Sequence, residues 1–111
     1  MSEPKFTSFA ELPSVRVNEL VQVQTLNGER AQLCRFVTSP DATTFPPVSH
    51  EAEQLTLVVR GRLRLRLGDA VHEVGPGSVF FIPSGVEHEA TILEAPVEVI
   101  DFHAPPREEL R

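Results

Sequence analysis

The stretch Gly77-Ser78-Val79-Phe80-Phe81-Ile82-Pro83-Ser84-Gly85-Val86-Glu87-His88, GSVFFIPSGVEH, reads as a short apolar strand held between two chain reversals. Gly77 closes a Gly-Pro-Gly turn, Pro83-Ser84-Gly85 turns the chain again, and the next strand opens with a histidine aimed at the interior. A period of two runs through the neighbouring segments. Arg62 to Leu67, RLRLRL, alternates throughout, so an extended chain puts three leucines on one face and three arginines on the other. Further turn signals stand at Asn27-Gly28, Arg60-Gly61 and Gly68-Asp69. Between them strands are expected over 20–26, 30–38, 54–59, 62–67, 70–74, 78–82, 88–93 and 97–102. Short strands at this spacing, ten prolines and no long helical stripe predict an all-β sandwich or barrel. Only 8–12 and 107–110 have room for a turn of helix.

A chain of 111 residues suits one domain, expected to span 1–111. Sixteen acidic against ten basic side chains give a net charge of −6, and no basic stripe interleaved with aromatics appears, which argues against a nucleic-acid partner. The longest apolar runs, LTLVV and VFFIP, fall far short of the ~20 residues that span a bilayer, so no membrane partner and a cytoplasmic location are expected. The single cysteine, Cys34, excludes an internal disulfide and a thiolate zinc cluster, and its apolar surroundings mark it as core. The runs Leu55 to Val59 and Val79 to Ile82 look apolar on both faces. A homodimer that covers one of those faces is expected.

Gly77 to His88 fits G-x5-P-x-G-x2-H without a gap. That pattern resembles the second conserved motif of the cupin superfamily, with Ile92 standing where the family often has Asn. The family's first motif has two histidines one residue apart, then a Glu or Gln, then six residues and a glycine. Here Gln54 is followed by six residues and Gly61, and His50 precedes Gln54 by four. This register puts Val48 at the first histidine position and Gln at the position often held by Glu. The resemblance implies a small, RmlC-like cupin with a jelly-roll barrel, a double-stranded β-helix. In the family these positions converge on one metal inside the barrel, which implies His50, Gln54 and His88 as ligands.

The chain end, Asp101-Phe102-His103-Ala104-Pro105-Pro106-Arg107, is similar to the D-x-F-x-P-P-R ending of small cupins related to pectin-degradation proteins, some of which open cyclic unsaturated uronates. There the aspartate, phenylalanine and arginine line the pocket. Asp101 and Arg107 match, whereas His103 replaces the phenylalanine. Because alternate strand residues share a face, His103 points inward with Asp101. One inward histidine is thus missing at 48 and one is gained at 103. His103 either completes the coordination as a fourth ligand or fills the pocket as a neutral ring. Three imidazoles and an amide oxygen suit Mn, Fe, Ni, Cu or Zn without choosing among them.

Three functions follow from this resemblance. One is a lyase- or isomerase-type enzyme acting on a small polar or carboxylated, carbohydrate-derived molecule, with a divalent metal polarising an oxygen, Asp101 moving a proton and Arg107 orienting the substrate. The second is a metal-depleted cupin that binds a small molecule without catalysis. The third is a metal-dependent dioxygenase.

Overall fold

The structure is a computed structural model that describes residues 3–111; Met1 and Ser2, at the start of the domain expected over 1–111, lie outside them. Its strands are β1 (Val15–Asn18), β2 (Val21–Asn27), β3 (Gln32–Thr38), β4 (Thr44–Val48), β5 (Glu53–Leu67), β6 (Ala70–Val74), β7 (Val79–Ile82) and β8 (His88–Ala104), followed by one 3-10 turn at Glu108–Leu110. All pairings are antiparallel, in the order β1-β2-β3-β8-β5-β6, with β4 added to β8 and β7 to β5. The expected all-β barrel is what the chain forms.

Two long strands close the barrel. The first half of β5 pairs with β7 and the second half with β6, while β8 pairs first with β4 and then with β3. Each therefore passes from one layer of the jelly roll to the other. The sequence suggested a turn at Arg60-Gly61 and a break between 93 and 97, but the strands bend there and continue. Gly61 makes the bend possible: its φ is +89°, and a Cβ would sit 2.7 Å from Glu94 O and 2.8 Å from Pro96 O. Any other residue meets both strain and backbone there.

Two strands escaped the sequence reading. β1 is exposed along its whole length and carries no buried alternation. β4 contains Pro46 and Pro47, which cannot donate to a ladder, so it survives only as an irregular edge whose register slips between Phe45 and Val48. The segment 8–12 forms hydrogen-bonded turns at Ser8 rather than a helix.

The core gathers Val21, Val23, Cys34, Phe36, Val58, Leu63, Leu65, Ala90, Val97 and Val99. Leu63 and Leu65 point inward from RLRLRL as its alternation requires, and each contributes on the order of 1.5–3 kcal/mol by leaving water. On the outer side Arg66 bridges Glu89 at 2.6 Å and Glu87 at 2.7 Å.

The first half of β5 departs from the expected pattern in an instructive way. Its inner face is Gln54, Thr56 and Val58, all buried, while Leu55, Leu57 and Val59 face outward and are 52%, 40% and 43% exposed. Gln54 and Thr56 lie inside with Val58, and the three apolar residues that alternate with them lie outside. Across the sheet the outward row continues as Leu33, Phe102, Leu55 and Phe81.

Candidate metal and ligand site

Strand register places the polar interior in two adjacent rows. Asn27, Gln32, His103, Gln54 and Ile82 stand side by side across β2, β3, β8, β5 and β7. One step along, Thr25, Cys34, Asp101, Thr56 and Phe80 form the next row. From the other layer His88 comes in opposite Val48 on β4 and Leu67 on β5. His50, on the loop between β4 and β5, sits among them, its ring centre 5.1 Å from that of His88 and 5.6 Å from that of His103.

The hydrogen-bond network fixes how each imidazole is turned. His88 Nδ1 lies 3.0 Å from Val86 O and His50 Nδ1 2.7 Å from Ala52 O; a carbonyl only accepts, so both Nδ1 atoms donate. For His103 the partner is Gln32 Oε1 at 3.2 Å. Gln32 spends its Nε2 on Asn27 Oδ1 and Arg107 O, which leaves its oxygen as the acceptor and makes His103 Nδ1 the donor as well. In the neutral rings all three Nε2 atoms then carry lone pairs. Histidines that ligate metals are commonly oriented this way, with the second nitrogen tied to a fixed acceptor.

Gln54 is oriented from the other side. Its Nε2 donates to Thr56 Oγ1 at 3.0 Å, and Thr56 donates onward to Asp101 Oδ1 at 2.7 Å. The Gln54 oxygen is left facing His50 Nε2 at 3.2 Å, one acceptor against another. His103 Nε2 is buried without a hydrogen-bond partner; the nearest acidic atom, Asp101 Oδ2, is 3.9 Å away. A cation resolves these conflicts, and the donor chemistry of imidazole nitrogen plus amide oxygen fits a divalent transition metal. Among the described residues no group of three or more His, Cys, Asp or Glu side chains is arranged to hold a metal ion on its own, so the set depends on the Gln54 amide.

Burial dominates the electrostatics. It drives His103 down to about 3 and lowers His88 too, so both rings are neutral at ordinary pH. The contact between His103 and Asp101 is therefore not an ion pair. Burial pushes Asp101 up to about 6, against the lowering effects of the Thr56 hydrogen bond and the Arg107 charge. The Cys34 thiol, fully buried, is pushed up to about 11, which agrees with its reading as core rather than nucleophile.

A cavity of about 770 Å³ opens onto this cluster. Gln54, Thr56, His88, Asp101 and Arg107 are in its wall, with Val48 beside them, whereas His50 and His103 do not line it. The Arg107 guanidinium, mostly buried, is held by Glu109 Oε1 at 2.8 Å. The structure thus brings together His50, Gln54, His88, His103, Asp101 and Arg107. Sequence reasoning missed Thr56 and Gln32. Thr56 stands two residues from Gln54 on the same strand face and could have been found by periodicity; Gln32 acts on a residue 71 positions away and gave no local signal.

A barrel of bent antiparallel strands with histidines and an amide converging inside it defines a class of protein rather than one activity. The chain belongs to the cupin family: the Cupin domain matches residues 35–103. Among solved structures it is similar to an RmlC-like cupin from Shewanella frigidimarina, with 19% identity, a TM-score of 0.87, and 98% of this chain and 97% of that one covered. It is also similar to KdgF from Halomonas sp., with 23% identity, a TM-score of 0.88, and coverage of 98% and 100%. The polyketide cyclase RemF from Streptomyces resistomycificus shares 25% identity at a TM-score of 0.77, over 96% of this chain and 82% of that one. No curated protein matches the chain in sequence.

Proposed function

We propose that the chain, acting as a single cytoplasmic domain, binds one divalent transition metal and a small organic molecule with a carboxylated or otherwise oxygen-rich end, and moves a proton in an isomerase- or lyase-type reaction. The observation that carries this reading is the pair of acceptors, His50 Nε2 and Gln54 Oε1, facing each other at 3.2 Å. His50, Gln54 and His88 would hold the ion, with His103 Nε2 as a fourth donor. Mn, Fe, Ni, Cu and Zn all suit such a set. When bound, a divalent ion supplies a Lewis acid that polarises an oxygen of the ligand.

The protein's own groups supply the rest. Asp101 has Oδ1 tied to Thr56 and Oδ2 free, and a carboxyl near 6 both gives and takes a proton close to neutral pH. Arg107 presents a planar two-pronged donor for a carboxylate, which would share it with Glu109. A carboxylated substrate, the class implied by the tail resemblance, would place its charged group at this end of the cavity. No helix among the described residues is long and apolar enough to cross a membrane. The outward row of Leu55, Phe81 and Phe102, each about half exposed, supports a homodimer in which this face meets a second copy.

A specific observation favours a second reading. Val48 occupies the first ligand position, and among the described residues no three His, Cys, Asp or Glu side chains are arranged as a metal group. In a metal-depleted binding cupin, a proton on His50 would satisfy Gln54 instead. Elemental analysis of untagged protein purified without chelator tests the choice. Near-stoichiometric metal supports the first reading, and no binding of any first-row divalent ion in calorimetric titration sinks it. The same experiment, extended to oxygen uptake in the metal-loaded protein, tests the dioxygenase alternative. Sedimentation of a monomer at tens of micromolar removes the dimer.

A further inference from the structure

The cavity changes character along its length. Past the row that holds Asp101 and Thr56, the next row of the sheet is Val23, Phe36, Val99 and Val58, and the wall formed by Val23, Phe36, Leu63, Leu65, Phe80 and Val99 offers no polar side chain. The polar groups elsewhere on the lining are already engaged or lie at the rim. Thr25 contacts the Cys34 thiol, Asn27 accepts from Gln32, Glu89 pairs with Arg66, and Arg16 is exposed on β1. At about 770 Å³ the space lies within the roughly 300–1,000 Å³ typical of small-molecule sites and exceeds what the anchored end alone would occupy.

We infer that this cavity takes an amphipathic carboxylate, with its anionic end at the Arg107 guanidinium and an apolar aromatic or alicyclic body against the Phe36, Leu65 and Val99 wall. The inference rests on the proposed polar site for the anchored end and narrows the substrate class of that site. A polyhydroxylated sugar acid needs donors and acceptors all round its ring. Each hydroxyl stranded against the apolar wall lowers affinity by roughly tenfold, because it loses water and gains no partner. An apolar ring of the same size loses nothing there and gains contact.

The test compares 2-naphthoate with D-galacturonate by calorimetry on metal-free protein, so that the metal reading, probed by a separate titration with divalent ions, fails or stands independently. Naphthoate should bind at least about tenfold more tightly than galacturonate. Ala90→Phe, which fills the cavity from β8 beside Leu65, should weaken naphthoate by tenfold or more. Phe45→Asn, on the half-buried edge strand opposite Ala90, replaces it should the first variant not fold. Galacturonate that binds as tightly as naphthoate overturns the inference. So does naphthoate affinity weaker than about 1 mM, or naphthoate binding that neither variant alters, which would put the ligand on the exposed outer face.

Discussion

The Thr56 hydroxyl donates a 2.7 Å hydrogen bond to Asp101 Oδ1, the residue directly opposite it on the neighbouring strand, and accepts one from Gln54. One side chain thereby orients both a candidate metal ligand and the candidate proton carrier. Thr56→Val keeps the shape and strands two buried polar atoms, so stability should fall by about 1–3 kcal/mol. Metal affinity should fall several-fold as the Gln54 amide loses its anchor. Thr56→Ser should restore most of both. Chemical denaturation and calorimetric metal titration read the two effects separately.

Val48 and His103 divide the two accounts of the metal site. If the site is depleted, Val48→His adds a nitrogen opposite His88 and divalent-ion affinity should rise about tenfold or more. If His103 already supplies that donor, Val48→His should change little and His103→Phe should lower affinity sharply. The structure favours the second outcome, because His103 Nε2 is a buried lone pair with no other partner.

Asp101 and His103 pull stability in opposite directions with pH. The fold favours neutral Asp101, raised to about 6, so its contribution is full below about pH 4 and is lost as pH rises to about 6. The fold also favours neutral His103, lowered to about 3, so its contribution is full above about pH 6.5 and is lost as pH falls. Between pH 4 and 6 these two slopes oppose each other in metal-free parent protein, and His88, also lowered by burial, adds to the histidine side. Asp101→Asn should expose the histidine slope, with stability rising by about 3 kcal/mol across that window, and His103→Phe should expose the reverse. Urea unfolding at four pH values checks the signs, and parallel curves for both variants would contradict the assignment.

Arg107 holds its place in the fold through its backbone. Its carbonyl and amide clamp the Gln32 side chain, while its guanidinium meets only Glu109 by hydrogen bond. Arg107→Ala should therefore stay folded, with stability within about 1 kcal/mol of the parent. Its affinity for 2-naphthoate should drop about tenfold or more, while 2-naphthalenemethanol, the neutral analogue, should be unaffected. Loss of both would mark Arg107 as a structural clamp instead.

Legibility in the sequence followed the range of the interactions. The alternation of Leu63 and Leu65 and the turns at Gly28, Gly68, Gly77 and Gly85 are properties of short segments, and each led to the right element. β4 was hidden because Pro46 and Pro47 contradict a ladder that only an edge tolerates. The bends at Gly61 and before Val97 looked like ends because a glycine or proline reads as punctuation until the neighbouring strand shows that pairing resumes.

By itself the sequence determined that this chain is all-β with an inward histidine at the head of β8, since strand period and turn chemistry are written residue by residue; the barrel and the cluster of His50 and Gln54 were implied by the resemblance of its motifs to cupins. Only the tertiary structure decided which face of Leu55 to Val59 looks inward, how the three imidazoles are turned, and that His103 brings a buried, unpartnered nitrogen to the same place. Those outcomes depend on Gln32, Thr56 and Asp101 meeting across strands, and no local pattern encodes a hydrogen bond between residues that are far apart in the chain and adjacent in the sheet.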